Sequence, residues 1–227
     1  MKTIVIIGGS RGIGLAIAKQ QSKNNKIICL SRNKPEFESE NLSYIPYDTL
    51  SDSLPELEEI DSLIYCPGSI VLKPINRLSL EDFRSDFEIN VIGAVKAIQK
   101  YLPLLKKGSH PSILLFSSVA AKLGMPFHAS IAASKAAVEG IVKSVGAELA
   151  SKVRINAIAP SITQTDLSAS ILKNEEAIER IKERHPLKKI LHPEEVADLV
   201  GYLISEKASS ISGQVFELDG GIVTFKI

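Results

Sequence analysis

The sequence is poor in cysteine, has no excess of either charge and contains no long apolar run. Its two cysteines, Cys29 and Cys66, form neither metal-ligand spacing nor a disulfide framework, and no metal is expected. With 27 Lys+Arg against 26 Asp+Glu and a formal net charge of +1, there is no basic surplus to neutralise nucleic-acid phosphates. No stretch approaches the ~18 apolar residues that a spanning helix needs, so no membrane partner is expected. The apolar opening Thr3–Ile7 is cut by Gly8 and Gly9, and Arg11 follows before any cleavage site, so it does not read as a signal peptide. The expectation is a cytoplasmic protein. Internal repeats, low-complexity tracts and linkers are absent too, so residues 1–227 read as one domain.

What is present is a recurrence of short apolar runs: Thr3–Ile7, Lys26–Leu30, Ser43–Tyr47, Ser62–Cys66, Ser112–Phe116, Val153–Ile158 and Gln214–Leu218. Most are rich in Ile and Val, and helical periodicity fills the segments between them. Buried parallel strands read this way, which predicts an α/β Rossmann-type doubly wound parallel sheet of about seven strands with helices on both faces. One helix opens at a capping signal, Ser79-Leu80-Glu81-Asp82, and runs to about Leu105 near Pro103. Another opens at Pro193, with Glu194 and Glu195 suited to the positive end of the helix dipole.

The first run leads directly into Gly8-Gly9-Ser10-Arg11-Gly12-Ile13-Gly14 and then a helical stretch. Glycines permit a tight turn and let backbone N–H groups approach a pyrophosphate at the helix N-terminus. Placed between the first strand and the first helix of an α/β chain, this turn reads as a dinucleotide site rather than as mere packing. The second strand ends Leu30-Ser31-Arg32-Asn33, without the acid that usually meets the ribose hydroxyls of NAD(H). Arg32 and Arg11 suit a 2′-phosphate instead, so NADP(H) is favoured over NAD(H). The plain alternative is that both are solvated surface arginines.

Taken together, these residues resemble the short-chain dehydrogenase/reductase family over nearly the whole chain. Gly8, Gly12 and Gly14 match its glycine turn, with Ile7 where Thr commonly precedes it. Asp48 matches an acid that contacts adenine, and Tyr65-Cys66-Pro67-Gly68 stands where the family has Asn-Asn-Ala-Gly. Asn90 matches the helix asparagine of the catalytic set and Ser118 the serine that holds the substrate oxygen. Arg154–Pro160 and Leu218–Gly221 are close matches, with Ser161 replacing a Gly. The resemblance implies a cofactor-binding set of Gly8, Ser10, Arg11, Gly12, Ile13, Gly14, Arg32, Asp48, Cys66, Pro67, Gly68, Asn90, Lys135, Pro160, Thr163 and Thr165. It implies catalytic roles for Ser118, Lys135 and Asn90, a substrate lid at about 166–184, and a homodimer or homotetramer built on the helices Leu80–Leu105 and Ala129–Ala150.

The departure lies at the chemistry. The family's Tyr-x-x-x-Lys occurs as Ile131-Ala132-Ala133-Ser134-Lys135, with Ile131 thirteen residues after Ser118, and no tyrosine lies between Tyr101 and Tyr202. Isoleucine has no proton to give. Ile131, Val138, Ile141, Val142, Val145 and Leu149 form an apolar stripe at helical spacing, so Ile131 reads as a packing residue. Lys135 falls on the same stripe, and a lysine there is costly unless its ammonium reaches a polar site, which a ribose contact provides.

Three readings follow. One is an oxidoreductase that interconverts a carbonyl and an alcohol of a small-molecule substrate, with Ser118 or a water on Asn90 or Lys135 handling the proton. The second is a catalytically inactive NADP(H)-binding sensor or scaffold subunit. An isomerase or lyase is a third, which no residue selects. Tyr65 and His128 are alternative proton carriers. Their plain readings are a β-favouring aromatic at a strand end and an ordinary loop histidine. Arg32 to Asp48 spans only 16 residues and Asp48 to Gly68 only 20, so these crossovers are pared down and the first has room for little or no helix.

Overall fold

The computed structural model describes residues 1–226. Seven parallel strands form one sheet in the order β3-β2-β1-β4-β5-β6-β7. They are β1 (Thr3–Ile7), β2 (Lys26–Ser31), β3 (Leu42–Pro46), β4 (Ser62–Tyr65), β5 (Ser112–Phe116), β6 (Arg154–Pro160) and β7 (Val215–Leu218). The expected doubly wound sheet is therefore present.

Because side chains alternate across a strand, each central strand supplies both faces of the sheet. Val5 and Ile7 of β1, with Leu63 of β4 and Ile113 of β5, pack beneath α3 (Gly93–Leu105) and α4 (Ala129–Leu149). Ile4, Ile6, Ile64 and Leu114 point to the other face, against α1 (Gly12–Gln21) and α6 (Pro193–Leu203). No helix joins β2 to β3 or β3 to β4, as the short crossovers require, and β3 is an edge strand buried only in part.

The segment expected as one helix over Leu80–Leu105 has three parts. These are α2 (Leu80–Phe87), a wide π-turn over Glu88–Ile92, and α3. Its start is as read, with the Ser79 hydroxyl accepting from the Asp82 N–H and the Asp82 carboxylate accepting from the Ser79 N–H. Pro103 does not end the helix but lies inside its last turn. Within residues 166–184, a short 3-10 turn at Asp166–Ser168 precedes α5 (Glu175–Arg184). Among the described residues, no helix is long and apolar enough to cross a membrane and no side-chain cluster could hold a metal ion.

The strand order reverses between β1 and β4. A crevice lies at their carboxyl ends, the usual ligand position in such sheets.

Candidate active site

The crevice is built first by backbone. Gly8 and Gly12 have φ of +80° and +52°, a region that side chains rarely adopt. A Cβ on Gly14 would lie 2.2 Å from the Gly8 carbonyl oxygen, so α1 approaches the turn as closely as it does only because residue 14 is glycine. Gly8 also abuts Pro67, bringing the turns after β1 and β4 together. At the start of α1, Arg11 makes no side-chain cap and the first turn holds no acidic residue. Its N–H groups are thus free of side-chain acceptors, and the helix dipole favours an anion there.

A cleft of about 460 Å³ opens at this turn. Gly8, Ser10, Arg11, Gly12, Ile13, Gly14, Arg32, Asp48, Cys66, Pro67, Gly68 and Thr165 all line it. Arg11 and Arg32 are exposed on its wall, and the Arg11 guanidinium stands 3.8 Å from the Asp166 carboxylate. These residues fit a dinucleotide: glycines where a Cβ would fill the cradle, an open helix N-terminus, and two cations, Arg11 on the glycine turn and Arg32 just past the end of β2.

A second cleft, of about 320 Å³, adjoins the first and shares Ile13, Cys66, Gly68, Thr165 and Leu167 with it. Ser69, Ser118, His128, Ile131, Lys135, Pro160 and Thr163 lie on its wall. Lys135, Pro160 and Thr163, expected as cofactor residues, therefore line this cleft and not the first. Thr163 is buried, with its hydroxyl donating to the Ser161 carbonyl, because a bridge to Leu191 pins its backbone. Asn90 lines neither cleft.

Lys135 is 9% exposed and its ammonium donates to the Phe116 carbonyl oxygen at 2.8 Å. Burial lowers its pKa to about 8, opposed by the nearby Cys66 and Asp86. Ser118 is half-buried, and its Oγ accepts from the Ala120 N–H. Ile131 is buried, with its side chain on the second cleft and no titratable atom to offer.

Asn90 is buried inside the π-turn. Its Nδ2 donates to the Asp86 carbonyl at 2.8 Å and to Ser69 Oγ at 3.0 Å, while its Oδ1 has no partner. Both Asn90 Oδ1 and Lys135 Nζ lie within 4 Å of the point where a Cβ on Gly68 would stand. Tyr65 is removed as a proton carrier: its hydroxyl is buried and donates to the Ile89 carbonyl at 2.6 Å, and burial pushes the phenol well above its ordinary range. His128 precedes α4 and its Nδ1 pairs with the Pro126 carbonyl, so the hydrogen bond makes Nδ1 the donor.

Reading the sequence alone misses Ser69 and Asp86. Ser69 Oγ donates to Asp86 Oδ1 at 2.5 Å, and Asp86 is fully buried with Oδ2 unpartnered. The one available signal was Asp86 lying four residues before Asn90, on the same helical face.

A family model described as enoyl-(acyl carrier protein) reductase matches residues 48–223. The 3-oxoacyl-[acyl-carrier-protein] reductase FabG of Thermotoga maritima is 31% identical over 98% of this chain and 98% of its own length. Ligand-free aldohexose dehydrogenase of Thermoplasma acidophilum superposes with a TM-score of 0.89 at 27% identity, covering 99% of this chain and 95% of that one. The structure of ElxO with NADP bound superposes with a TM-score of 0.88 at 25% identity, covering 99% and 100%. With its parallel seven-stranded sheet and glycine turn at the strand-order reversal, the chain belongs to the short-chain dehydrogenase/reductase family, whose members are oxidoreductases using nicotinamide cofactors.

Proposed function

We propose that the protein is an NADP(H)-dependent oxidoreductase that interconverts a carbonyl and an alcohol, with Ile131 at the position of the family's tyrosine. One observation carries the reading: the cleft at the glycine turn and the cleft walled by Ser118 and Lys135 are contiguous across Cys66, Gly68 and Thr165. A dinucleotide in the first would present one end to a substrate in the second.

Gly8, Ser10, Arg11, Gly12, Ile13 and Gly14 hold the pyrophosphate through backbone N–H groups, and Asp48 meets the adenine. Arg11 and Arg32 clamp a 2′-phosphate. Bound there, the nicotinamide supplies or accepts hydride. Lys135, tethered to the Phe116 carbonyl, donates to the ribose, and Ser118 Oγ orients the substrate oxygen. The predominantly apolar second cleft excludes water around the reacting carbon.

Buried Ile131 favours a second reading, a nucleotide-binding sensor or scaffold subunit without turnover. The protein assembles as a homodimer or homotetramer on this proposal, since Leu80 and Phe87 expose apolar surface on α2. Its two free thiols suit a reducing cytoplasm.

The test is titration with NADPH and NADH, followed by single-turnover assays on carbonyl substrates with wild type and Ile131→Tyr. Tighter NADPH binding with wild-type turnover is expected. Binding without turnover, and activity gained by Ile131→Tyr, would establish the sensor reading, and failure to bind either nucleotide would overturn both.

A further inference from the structure

The site lacks a proton carrier at Ile131, yet a buried acid stands behind its wall. Asp86 is 0% exposed, and Ser69 separates it from the second cleft. Ser69 Oγ has one proton and two lone pairs. Its proton goes to Asp86 Oδ1 at 2.5 Å and one lone pair accepts from Asn90 Nδ2 at 3.0 Å. One lone pair is left for a group in the cleft. Two of the four buried unpartnered side-chain atoms among the described residues, Asp86 Oδ2 and Asn90 Oδ1, belong to this single cluster. An asparagine at residue 86 would bridge to Ser69 without the cost of burying an ionisable carboxyl, so packing alone does not account for an acid there.

We propose that Ser69 and Asp86 are the proton-handling pair of the site: Ser69 Oγ exchanges a proton with the substrate oxygen, and Asp86 stores it. This rests on the oxidoreductase reading above. In the oxidative direction the alcohol O–H bond breaks and its proton passes to Ser69 Oγ. The proton Ser69 already held moves to Asp86 Oδ1. The carbinol carbon loses its hydrogen and an electron pair as hydride to the nicotinamide, which is reduced as the alcohol becomes a carbonyl. Reduction runs the same transfers in reverse, and the proton is exchanged with solvent through the open cleft once product leaves. Ser69 is then a catalytic residue, while Asn90 is a positioning residue that fixes the Ser69 rotamer.

The experiment compares wild type, Ser69→Ala, Ser69→Thr and Asp86→Asn. The probes are NADPH and NADH with acetoacetyl-coenzyme A, a ketosteroid and a bicyclic ketone, and NADP+ and NAD+ with aldohexoses. Nucleotide Kd, KM, kcat and Tm are measured for each. Ser69→Ala and Asp86→Asn are expected to keep wild-type nucleotide Kd and KM while kcat falls by about 10²–10⁴. Ser69→Thr, which restores a hydroxyl, recovers most of the rate. A kcat within a few-fold of wild type in Ser69→Ala overturns the pair, as does a rate loss in Asp86→Asn that tracks loss of nucleotide binding. Absence of turnover in wild type overturns the oxidoreductase reading instead, and the pair with it. Should Asp86→Asn fail to fold, half-buried Ser69 still decides the matter through its Ala and Thr variants.

Discussion

The Tyr65 hydroxyl donates a 2.6 Å hydrogen bond to the carbonyl oxygen of Ile89, the residue before Asn90. A π-turn breaks the regular i→i−4 ladder at this point, and a phenol from the end of β4 caps one of its carbonyls. Gly93 admits the ring, since a Cβ there would lie 2.1 Å from the Tyr65 hydroxyl and 2.7 Å from Thr49 Cγ2.

Gly93→Ala is therefore expected to destabilise the protein by about 1–3 kcal/mol through overpacking. Tyr65→Phe should cost about 0.5–1.5 kcal/mol by removing the hydrogen bond to the Ile89 carbonyl. The double variant should be more stable than the sum of the two losses, because the phenylalanine ring removes the closest clash. Urea denaturation of the four proteins measures the coupling. Strict additivity would mean that the contact does not govern the turn.

Lys135 should leave a signature in stability against pH. Its pKa in the folded protein is lowered to about 8 by burial. Below that pH both folded and unfolded chains hold the proton, and the folded state bears the whole cost of the buried charge. From about 8 up to the ordinary 10.5 the folded state has released a proton that the unfolded chain keeps, so stability rises with pH. Cys29, Cys66 and Tyr65, whose burial raises their pKa values, slope the other way in alkali. The difference between wild type and Lys135→Met isolates the lysine. Relative to the variant, wild type should gain up to about 1.4 kcal/mol per pH unit across that window. A gap that stays constant between pH 7 and 10 would contradict this.

Gly14→Ala should separate nucleotide binding from the rest of the fold. The new methyl would meet the Gly8 carbonyl, a backbone atom that cannot swing aside. Displacement of α1 from the turn is expected to weaken NADPH at least about tenfold, since charge-assisted hydrogen bonds of about 1.5–3 kcal/mol depend on that approach. Far-ultraviolet circular dichroism should remain close to wild type. Unchanged NADPH affinity would place the pyrophosphate elsewhere.

Arg11→Ala and Arg32→Ala test cofactor choice. Each should weaken NADPH by about tenfold or more, the worth of one charge-assisted contact, and NADH by much less. The NADPH affinity of wild type should also fall more steeply with added salt than its NADH affinity. Equal losses for the two nucleotides would remove the 2′-phosphate role and leave the arginines as surface charges.

The strands were legible because continuous Ile and Val runs bounded by turns admit few other conformations. The boundaries of β1 and β5 fall as expected, those of β2, β3, β4 and β7 shift by one residue, and β6 shifts by up to two. The interruption at Glu88–Ile92 was not legible, because the pattern on either side is helical and the cap that accommodates the π-turn, Tyr65, is distant in sequence. Thr163 shows the same limit. Its neighbour Thr165 reaches both clefts, whereas the bridge to Leu191 turns Thr163 toward the second alone.

By itself the sequence determined the sheet, the glycine turn that approaches a helix N-terminus, and the absence of a titratable group at Ile131. Each is a local property: a run of apolar residues, a backbone that needs no Cβ, a side chain without a proton. Tertiary structure alone decided which polar groups are withdrawn from water together. It took Tyr65 out of the chemistry by pairing its hydroxyl, and it brought Ser69, Asp86 and Asn90 into one hydrogen-bonded cluster behind the second cleft. Burial raises the cost of every unpaired polar atom, and it is set by packing across the fold rather than by neighbours along the chain.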